Sequence, residues 1–432
     1  MPNTPDPAAP VVSSAPTTHP TAFWFFFWGE LAERSSYYGM RAILALYMAE
    51  RLGFAEENAS SAMHAFIAAC YLLPLAGGWV ADNLLGKYWT IVGFSIPYIL
   101  GHVILGVESV PFLVVALSLL AMGAGVIKPN ISTLMGMTYD QQRPGQEKLR
   151  SDSFAMFYGA INIGAAISSI AMPWIRTNYG YQLAFLFPAA LMVIAFIIFA
   201  SGKRFYAVEV ISREVKTPEQ RAAQWSVVAR ISGIFAVVTF FWSVFDQSAS
   251  TWTFFAKTHL DLHLFGWTLE PDMIQAVNPV LIVVLLPAVT LFWHYLDRHG
   301  MKLRPTDKMT IGFILATVTM GMMATAGFIT SEEAKASVLW EIAAYVVITI
   351  AEICISVVGL ELAFTAAPVH MKSFITACWL LTVFAANFLA MPVTQLYGKM
   401  PPGQYFSLLT VMMLVVTVVF LFVAGRFNRP KA

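Results

Sequence analysis

The sequence predicts an all-α membrane protein with twelve transmembrane helices arranged as two six-helix bundles. Of the 432 residues, 58% are hydrophobic and only 12% are charged, and the mean hydropathy is +0.67. A soluble globular chain is about 45–50% apolar and about 25% charged. Twelve apolar stretches are each long enough to cross a bilayer, which takes about 20 residues. One longer polar connection divides these stretches six and six.

The twelve candidate spans are separated by short connections, apart from the one in the middle. They cover residues 22–49, 60–83, 88–106, 110–136, 152–174, 181–201, 229–256, 275–296, 308–330, 338–364, 372–398 and 404–425. The central connection, 202–228, holds five Lys and Arg residues and is the predicted cytoplasmic linker. The predicted domains are an N-terminal bundle at 22–201 and a C-terminal bundle at 229–426. Short tails at 1–21, which is predicted to be disordered, and at 427–432 complete the chain.

Both termini are predicted to lie in the cytoplasm. With these spans, seventeen Lys and Arg residues fall in loops on the side of the termini and five fall in loops on the other side. Cytoplasmic loops carry the excess of basic residues in membrane proteins. The first twenty residues are rich in Pro, Ala, Ser and Thr and contain no Lys or Arg. We therefore expect a cytoplasmic tail there and not a signal peptide.

The first span carries a polar stripe that indicates a functional site. At about 100° per residue, its members fall within a sector about 140° wide, and apolar side chains cover the rest of the helix. These members are Glu30, Glu33, Arg34, Tyr37, Tyr38 and Arg41. Charges within a membrane are costly and normally face a protein interior or a water cavity. The stripe therefore predicts a site for small charged molecules or protons; the alternative is a charged patch that holds two helices together.

Deep acids outnumber deep bases across the twelve spans. The acids are Glu30, Glu33, Asp246, Glu352 and Glu361, and the bases are Arg34, Arg41 and Lys128. Burial without a partner favours the protonated form of a carboxyl group, so at least one acid should bind a proton near neutral pH. Depth also suggests two gating pairs between the bundles, Arg41 with Asp246 and Lys128 with Glu352. The alternative is that these ions pair within one bundle and only stabilise packing.

Two further polar residues lie in apolar spans, and each has two interpretations. Asn162 follows small residues on span 5, which suits either close helix packing or a polar contact to a substrate. His64 on span 2 is either a packing residue or a proton carrier. The cysteines Cys70, Cys354 and Cys378 lie far apart with no CxxC spacing, so neither a metal nor redox chemistry is expected.

Several function classes lack their sequence signatures. The chain contains no GxSxG, HExxH or Gly-rich phosphate loop, so it is not expected to be an enzyme or to need a cofactor other than protons as coupling ion. No basic cluster or nucleic-acid motif appears, and the net charge is only +1. The partners expected are the lipid bilayer, protons and a small charged solute, and no nucleic acid. The chain is expected to be a monomer.

Taken together, the motifs resemble those of the proton-dependent oligopeptide transporter family, within the major facilitator superfamily. The segment from Gly78 to Lys87 is similar to the superfamily's loop motif. Family motifs are similar to Glu30–Gly39 (ExxERFxYYG), Lys128-Pro129-Asn130 (KPN), Phe157–Gly164 (FYxxINxG), Asp246-Gln247, Asn278-Pro279 and Glu352–Leu360. The resemblance covers nearly the whole chain and implies the major facilitator fold. It also implies a proton-coupled symporter in the plasma membrane that imports di- and tripeptides by alternating access.

The resemblance also implies residue roles. Arg34 and Lys128 would bind the peptide carboxylate, and Glu352 would lie beside the amino terminus. The pocket would also contain Tyr37, Tyr38, Tyr71, Asn162, Asn278, Ser356 and Trp379. The proton-linked residues would be Glu30, Glu33, Asp246 and His64. The short linker lacks the two additional helices of many bacterial members, but a compact chain of this kind suits a bacterial inner membrane.

Three positions depart from the family pattern: Ser35 replaces Phe, Val357 replaces Pro, and Glu361 replaces Ser. Without the proline, span 10 loses a helix-breaking point, which puts the mobility of the proposed gate in doubt. Two alternative functions stay open from the sequence. One is a transporter of another small charged solute or a drug, and the other is a sensor that binds peptide without moving it.

Overall fold

The structure is a computed structural model that describes residues 18–209, 218–331, 334–366 and 372–429. Its helices α1 to α13 are, in order, Thr21–Glu50, Glu56–Val80, Lys87–Leu105, Val110–Gln142, Glu147–Ser201, Pro218–Phe245, Thr251–His259, Val277–Arg298, Pro305–Ile329, Leu339–Glu352, Val358–Ala366, Lys372–Thr394 and Pro402–Phe427. Strand β1, Leu260–Asp261, pairs in parallel with β4, Ala336–Ser337. Strand β2, His263–Leu264, pairs antiparallel with β3, Trp267–Thr268.

The predicted all-α architecture with twelve spans is confirmed. In the described part of the chain, ten helical segments are long and apolar enough to cross a membrane. One of them, α5, is 55 residues long and contains two spans, because Gly180 interrupts it with a φ of 83°. Helix α1, with 30 residues, is a further span whose buried charges lower its hydropathy. Spans 7 and 10 each consist of two helices joined by a short irregular turn.

The two bundles meet along two pairs of helices. Within the N-terminal bundle, α1 packs against α5 and α4 packs against both α2 and α3. Within the C-terminal bundle, α9 packs against α10 and α13, and α6 packs against α12. Between the bundles, α2 packs against α12 and α5 packs against α8. We call the end where α1 begins and α13 ends the terminal end, and the other the opposite end.

Span 10 is irregular despite having Val357 where the family has proline. Residues Ile353–Val357 form a π-helical turn between α10 and α11. The chain stays helical through this turn, and the effect of the missing proline on the mobility of the gate stays a prediction. Helix α9 packs closely against this turn, since a Cβ on Gly312 would lie 2.6 Å from Ile355 Cγ1 and 3.0 Å from the Ala351 carbonyl oxygen. π turns of this kind are frequent at functional sites.

Span 7 is interrupted where the sequence predicts one continuous helix. Helix α6 ends at Phe245, a 3₁₀ turn covers Asp246–Ala249, and α7 begins at Thr251. Ser250, at the junction, has φ −138° and ψ −86°, outside the helical region. The Gln247 carbonyl oxygen accepts a hydrogen bond from the Ser250 amide at 3.0 Å, which closes the turn. Asp246 thus lies at the start of the turn that precedes the break.

The domain boundaries remain predictions. Helix α6 begins at Pro218, eleven residues before the predicted start of span 7. Residues 210–217 of the predicted linker lie outside the described residues, as do 1–17 and 430–432 of the predicted tails. On the described side, Glu209 accepts hydrogen bonds from the Lys87 and Tyr88 amides at 2.6 and 2.9 Å. This contact attaches the start of the linker to the start of α3.

The packing of α2 on α4 predicts a stability difference between two adjacent glycines. A Cβ on Gly77 would lie 2.7 Å from the Val126 Cα, whereas a Cβ on Gly78 would meet nothing within 4 Å. Gly77→Ala should therefore lower the apparent Tm in detergent, since overpacking typically costs about 1–3 kcal/mol. Gly78→Ala is the matched control and should melt like the wild type. Equal melting temperatures for the two variants would contradict this contact.

Candidate substrate-binding site

The predicted stripe on α1 folds into a buried charge cluster. Arg34 Nε lies 3.2 Å from Glu30 Oε1 and forms a second ion pair with Glu33. The Glu30 contact follows from the i,i+4 spacing, which places the two side chains on one helix face. All three side chains are at most 2% exposed. One oxygen of each glutamate and Arg34 Nη2 have no hydrogen-bond partner, so the cluster keeps a free donor and two free acceptors.

Lys128 lies on α4 within the same bundle. Its Nζ donates to the Tyr71 hydroxyl at 3.4 Å and lies 4.8 Å from the Tyr71 ring centroid. In the described residues, no carboxylate approaches the ammonium within ion-pair distance. Tyr37 also contacts a cation, since the Arg34 guanidinium lies 5.4 Å from its ring centroid, and Tyr38 packs edge-on against Tyr37. Two cations and three phenol rings therefore share this bundle's side of the site.

Glu352, at the end of α10, is the acidic group on the other bundle. Its Oε2 accepts a hydrogen bond from Asn278 Nδ2 at 2.8 Å, and the same amide donates to Thr349 Oγ1 at 3.0 Å. Ser356 lies half-buried in the π turn one helical turn further on. No ion pair joins Glu352 to a base among the residues that the structure describes. Its carboxylate thus has one amide partner and no compensating cation.

The remaining predicted pocket residues mainly make packing contacts. The Asn162 side chain donates to the Tyr158 carbonyl oxygen of its own helix at 3.0 Å. Trp379 packs edge-on against Phe235 at 5.5 Å, and its ring occupies the space beside Gly359. Their predicted contacts with a substrate stay predictions.

Two of the three departures from the family pattern have a visible consequence. Ser35 Oγ donates to the Leu31 carbonyl oxygen at 2.7 Å. A Cβ on Gly164 would lie 2.7 Å from the same Oγ, so the small serine lets α1 and α5 approach closely. Glu361 is exposed, unlike Glu30, Glu33 and Asp246, which are buried.

A hydrogen-bonded chain links the bundles further towards the opposite end. Arg41 Nη2 lies 3.0 Å from Asp246 Oδ1, and Asn387 Nδ2 donates to Asp246 Oδ2 at 2.7 Å. His64 Nδ1 lies 2.8 Å from Asn387 Oδ1, and its Nε2 lies 3.2 Å from Ser250 Oγ. The structure thus brings together Arg41, Asp246 and His64, three residues that the sequence singled out. Sequence reasoning missed Asn387 and Ser250, although an Asn inside an apolar span was a signal, because a buried amide needs a partner.

Ion pairs between the bundles are concentrated away from the terminal end. Arg176 on α5 contacts Glu270 at 2.9 Å and Asp272 at 3.0 Å, just before α8. Lys257 at the end of α7 contacts Glu50 at the end of α1 at 2.6 Å. In the described part of the chain, these pairs and Arg41–Asp246 are all the salt bridges that join the two bundles. The opposite end is therefore bridged, and Lys128 and Glu352 are not paired.

Two six-helix bundles that meet across buried charges, bridged at one end, define a membrane protein of the major facilitator fold. The chain belongs to the POT family, whose model matches residues 88–219 and 207–408. The family predicted from the motifs is thereby confirmed.

The chain is similar to several known proteins. It is 34% identical to "Peptide transporter family 1" of Drosophila melanogaster over 72% of this chain and 48% of that protein. It is 32% identical to "Solute carrier family 15 member 1" of Mus musculus over 69% of this chain and 51% of that protein. The chain thus spans about half the length of these curated relatives.

Solved structures match over nearly the whole chain. The crystal structure of the POT family transporter PepTSo matches with a TM-score of 0.84 and 26% identity, over 96% of this chain and 99% of that one. The structure of an auto-inhibited POT family peptide transporter matches with a TM-score of 0.87 and 24% identity, over 95% and 99%. The described fold is therefore similar to that of solved POT family transporters along almost all of the matched chains.

Proposed function

We propose that the chain is a proton-coupled symporter that imports di- and tripeptides by alternating access. The observation that carries this proposal is the distribution of unpaired charge. Among the described residues, Arg34 keeps a free guanidinium nitrogen and Lys128 has no carboxylate partner on the N-terminal bundle, whereas Glu352 has no basic partner on the C-terminal bundle. A peptide zwitterion complements this arrangement, with its carboxylate towards the two cations and its ammonium towards Glu352. Family membership and the peptide-transporter names of the relatives support the same cargo.

The proposed conformation faces the cytoplasm. With both termini in the cytoplasm, the bridged opposite end is the outer side of a plasma-membrane protein that acts as a monomer. Arg41–Asp246 then belongs to a closed outer gate. On alternation, the outer pairs separate and Lys128 meets Glu352 at the inner side. Both bundles can move largely as rigid bodies around a fixed site, as in other secondary transporters.

Peptide counterflow in proteoliposomes tests the proposal. Vesicles containing the purified full chain are loaded with unlabelled di-alanine, and entry of labelled di-alanine is followed without a proton gradient. We expect exchange that unlabelled tri-alanine inhibits and that free alanine does not. An inward proton gradient should then drive accumulation of the labelled peptide. Binding without exchange would instead identify a sensor.

A second candidate is transport of another small charged solute. A POT family transporter with a TM-score of 0.86 and 22% identity to this chain is described in complex with 5-aminolevulinic acid. This compound carries an amine and a carboxylate, as a peptide does, so the same separated charges could hold it. Unlabelled 5-aminolevulinic acid is therefore included as a competitor. If the vesicles exchange 5-aminolevulinic acid but not di-alanine, this candidate is favoured over a peptide transporter.

The proposed outer gate predicts non-additive effects of its two charges. Arg41→Gln and Asp246→Asn should each slow counterflow at least about tenfold, because truncating one partner of a buried pair leaves the other charge uncompensated, at a cost of about 2–5 kcal/mol. The double variant should be no slower than the slower single variant, since no unpaired charge remains.

The control for this gate is an exposed ion pair at the same end of the molecule. Arg51 contacts Glu108 at 2.8 Å within the N-terminal bundle, and its side chain is 49% exposed. Exposed pairs contribute about 0–1 kcal/mol, so Arg51→Gln should leave counterflow near the wild-type rate. If the double variant instead loses counterflow by the product of the two single-variant factors, Arg41 and Asp246 act separately.

A further inference from the structure

A cavity lies at the terminal end, away from the charges between the bundles. It has a volume of about 650 Å³ and is located where α3 begins and α5 ends. The residues that matter for its chemistry are Tyr88, Trp89, Lys203, Arg204, Val208 and Glu209. None of these belongs to the proposed peptide site. The cavity therefore needs an explanation of its own.

Exposed tryptophans place this cavity at a membrane–water boundary. Trp24 and Trp28 lie near the start of α1, Trp79 lies near the end of α2, and Trp89 lies near the start of α3. Each of these side chains is about half exposed, and all four lie towards the terminal end of the N-terminal bundle. Tryptophan is enriched at the headgroup level of bilayers, where its ring contacts apolar chains and its N–H reaches polar groups. The cavity thus opens at the depth of lipid headgroups.

The cavity carries two cations without carboxylate partners. Lys203 Nζ lies 4.3 Å from the Trp89 ring centroid and 5.1 Å from that of Tyr88, and Arg204 lies over the Phe205 ring at 4.6 Å. Both side chains are exposed, and neither forms an ion pair among the described residues. The aromatic contacts hold the two charges beside the cavity.

In the described part of the chain, Glu209 is the only carboxylate on the lining, and it is already engaged. Glu209 accepts the hydrogen bonds from the Lys87 and Tyr88 amides, at the N-terminus of α3. The positive end of a helix offsets a carboxylate in this position. Nearby, Asp82 is paired with Lys87 at 2.9 Å. Of the described residues on the lining, Lys203 and Arg204 therefore supply the charge available to a ligand.

We propose that this cavity binds an anionic phospholipid, with the headgroup phosphate at Lys203 and Arg204. The exposed side chains of Leu85 and Val208, on the same lining, would contact the acyl chain. In the orientation proposed above, the cavity opens to the cytoplasmic leaflet, which carries the anionic lipids of a cell membrane. Basic pockets between spans on that side suit such headgroups.

Native mass spectrometry of the delipidated full chain in detergent tests this site. Phosphatidylglycerol is titrated onto the wild type and onto the double variant Lys203→Gln/Arg204→Gln. We expect the Kd of the tightest lipid to rise about 30-fold, which corresponds to the loss of two basic residues at a membrane surface. Phosphatidylcholine should bind both proteins equally. The readout does not depend on transport, so its outcome is separate from that of the peptide proposal.

The chain offers a matched control at the same end of the other bundle. Lys308 Nζ lies 5.2 Å from the Trp293 ring centroid, and Arg304 is exposed nearby. Arg304→Gln/Lys308→Gln removes the same two charges and should bind phosphatidylglycerol like the wild type. The charge-preserving variant Lys203→Arg/Arg204→Lys should also bind normally.

Three results would overturn the proposal. The first is a wild-type Kd for phosphatidylglycerol in the Lys203→Gln/Arg204→Gln variant. The second is an equal loss in the Arg304→Gln/Lys308→Gln control, which would indicate attraction by overall charge and not by this cavity. The third is displacement of the lipid by millimolar inorganic phosphate, which would assign the cavity to a soluble anion.

Discussion

Arg34→Ala and Lys128→Ala are each expected to abolish uptake of di-alanine. In the proposed complex, either change leaves the buried peptide carboxylate short of a cation, and such truncations cost about 2–5 kcal/mol. Each 1.4 kcal/mol of binding free energy corresponds to a tenfold change in Kd, so the Kd for peptide should rise by about 30-fold or more. Arg34→Ala also removes the only basic partner within ion-pair distance of Glu30 and Glu33 in the described residues. Uptake is measured in proteoliposomes with an inward proton gradient, and binding by titration in detergent.

A modified ligand separates loss of the carboxylate contact from general damage to the protein. Di-alanine with an amidated C-terminus lacks the negative charge, so it should bind weakly to the wild type. It should lose little further affinity in Lys128→Ala, because the contact is already absent. Arg51→Ala, at an exposed pair outside the site, serves as the protein control. Normal uptake of di-alanine by both site variants would refute the assignment.

The span pattern of the fold was predictable, but its irregular turns were not. Hydropathy and length locate the spans, because every backbone group in a bilayer must be satisfied within a helix or barrel. The turn at Asp246–Ala249 and the π turn at Ile353–Val357 lie inside apolar spans, and the π turn packs against Gly312 of α9. Such contacts leave no periodic signal in the segment itself.

The site was predictable within a helix and less so between helices. Helical periodicity alone places Glu30 and Arg34 together, and the structure has them 3.2 Å apart. The participation of Asn387 depends on how α12 is rotated and at what depth it crosses α2. Spacing within one span carries no information on either quantity. For the same reason, the residues between which a proton moves remain a prediction.

Proton coupling is proposed to depend on competition for Arg34. With no peptide bound, Arg34 forms ion pairs with both Glu30 and Glu33. A peptide carboxylate bound at Arg34 would compete with the two glutamates for the same guanidinium, and a proton on a glutamate would remove that competition. Peptide binding therefore promotes proton binding, and by linkage proton binding promotes peptide binding to the same degree.

Glu30→Gln and Glu33→Gln are expected to separate exchange from accumulation. Glutamine resembles the protonated acid in volume and charge, so counterflow, which needs no net proton movement, should stay near the wild-type rate. Accumulation driven by a pH gradient should disappear, because the variant binds no proton to couple. Glu361→Gln is the matched control, since Glu361 is exposed and outside the cluster, and it should retain both activities. If Glu30→Gln and Glu33→Gln both still concentrate di-alanine against its gradient, the coupling acid lies elsewhere. Asp246, which contacts Arg41 and Asn387, and then His64 would be tested next by the same pair of assays.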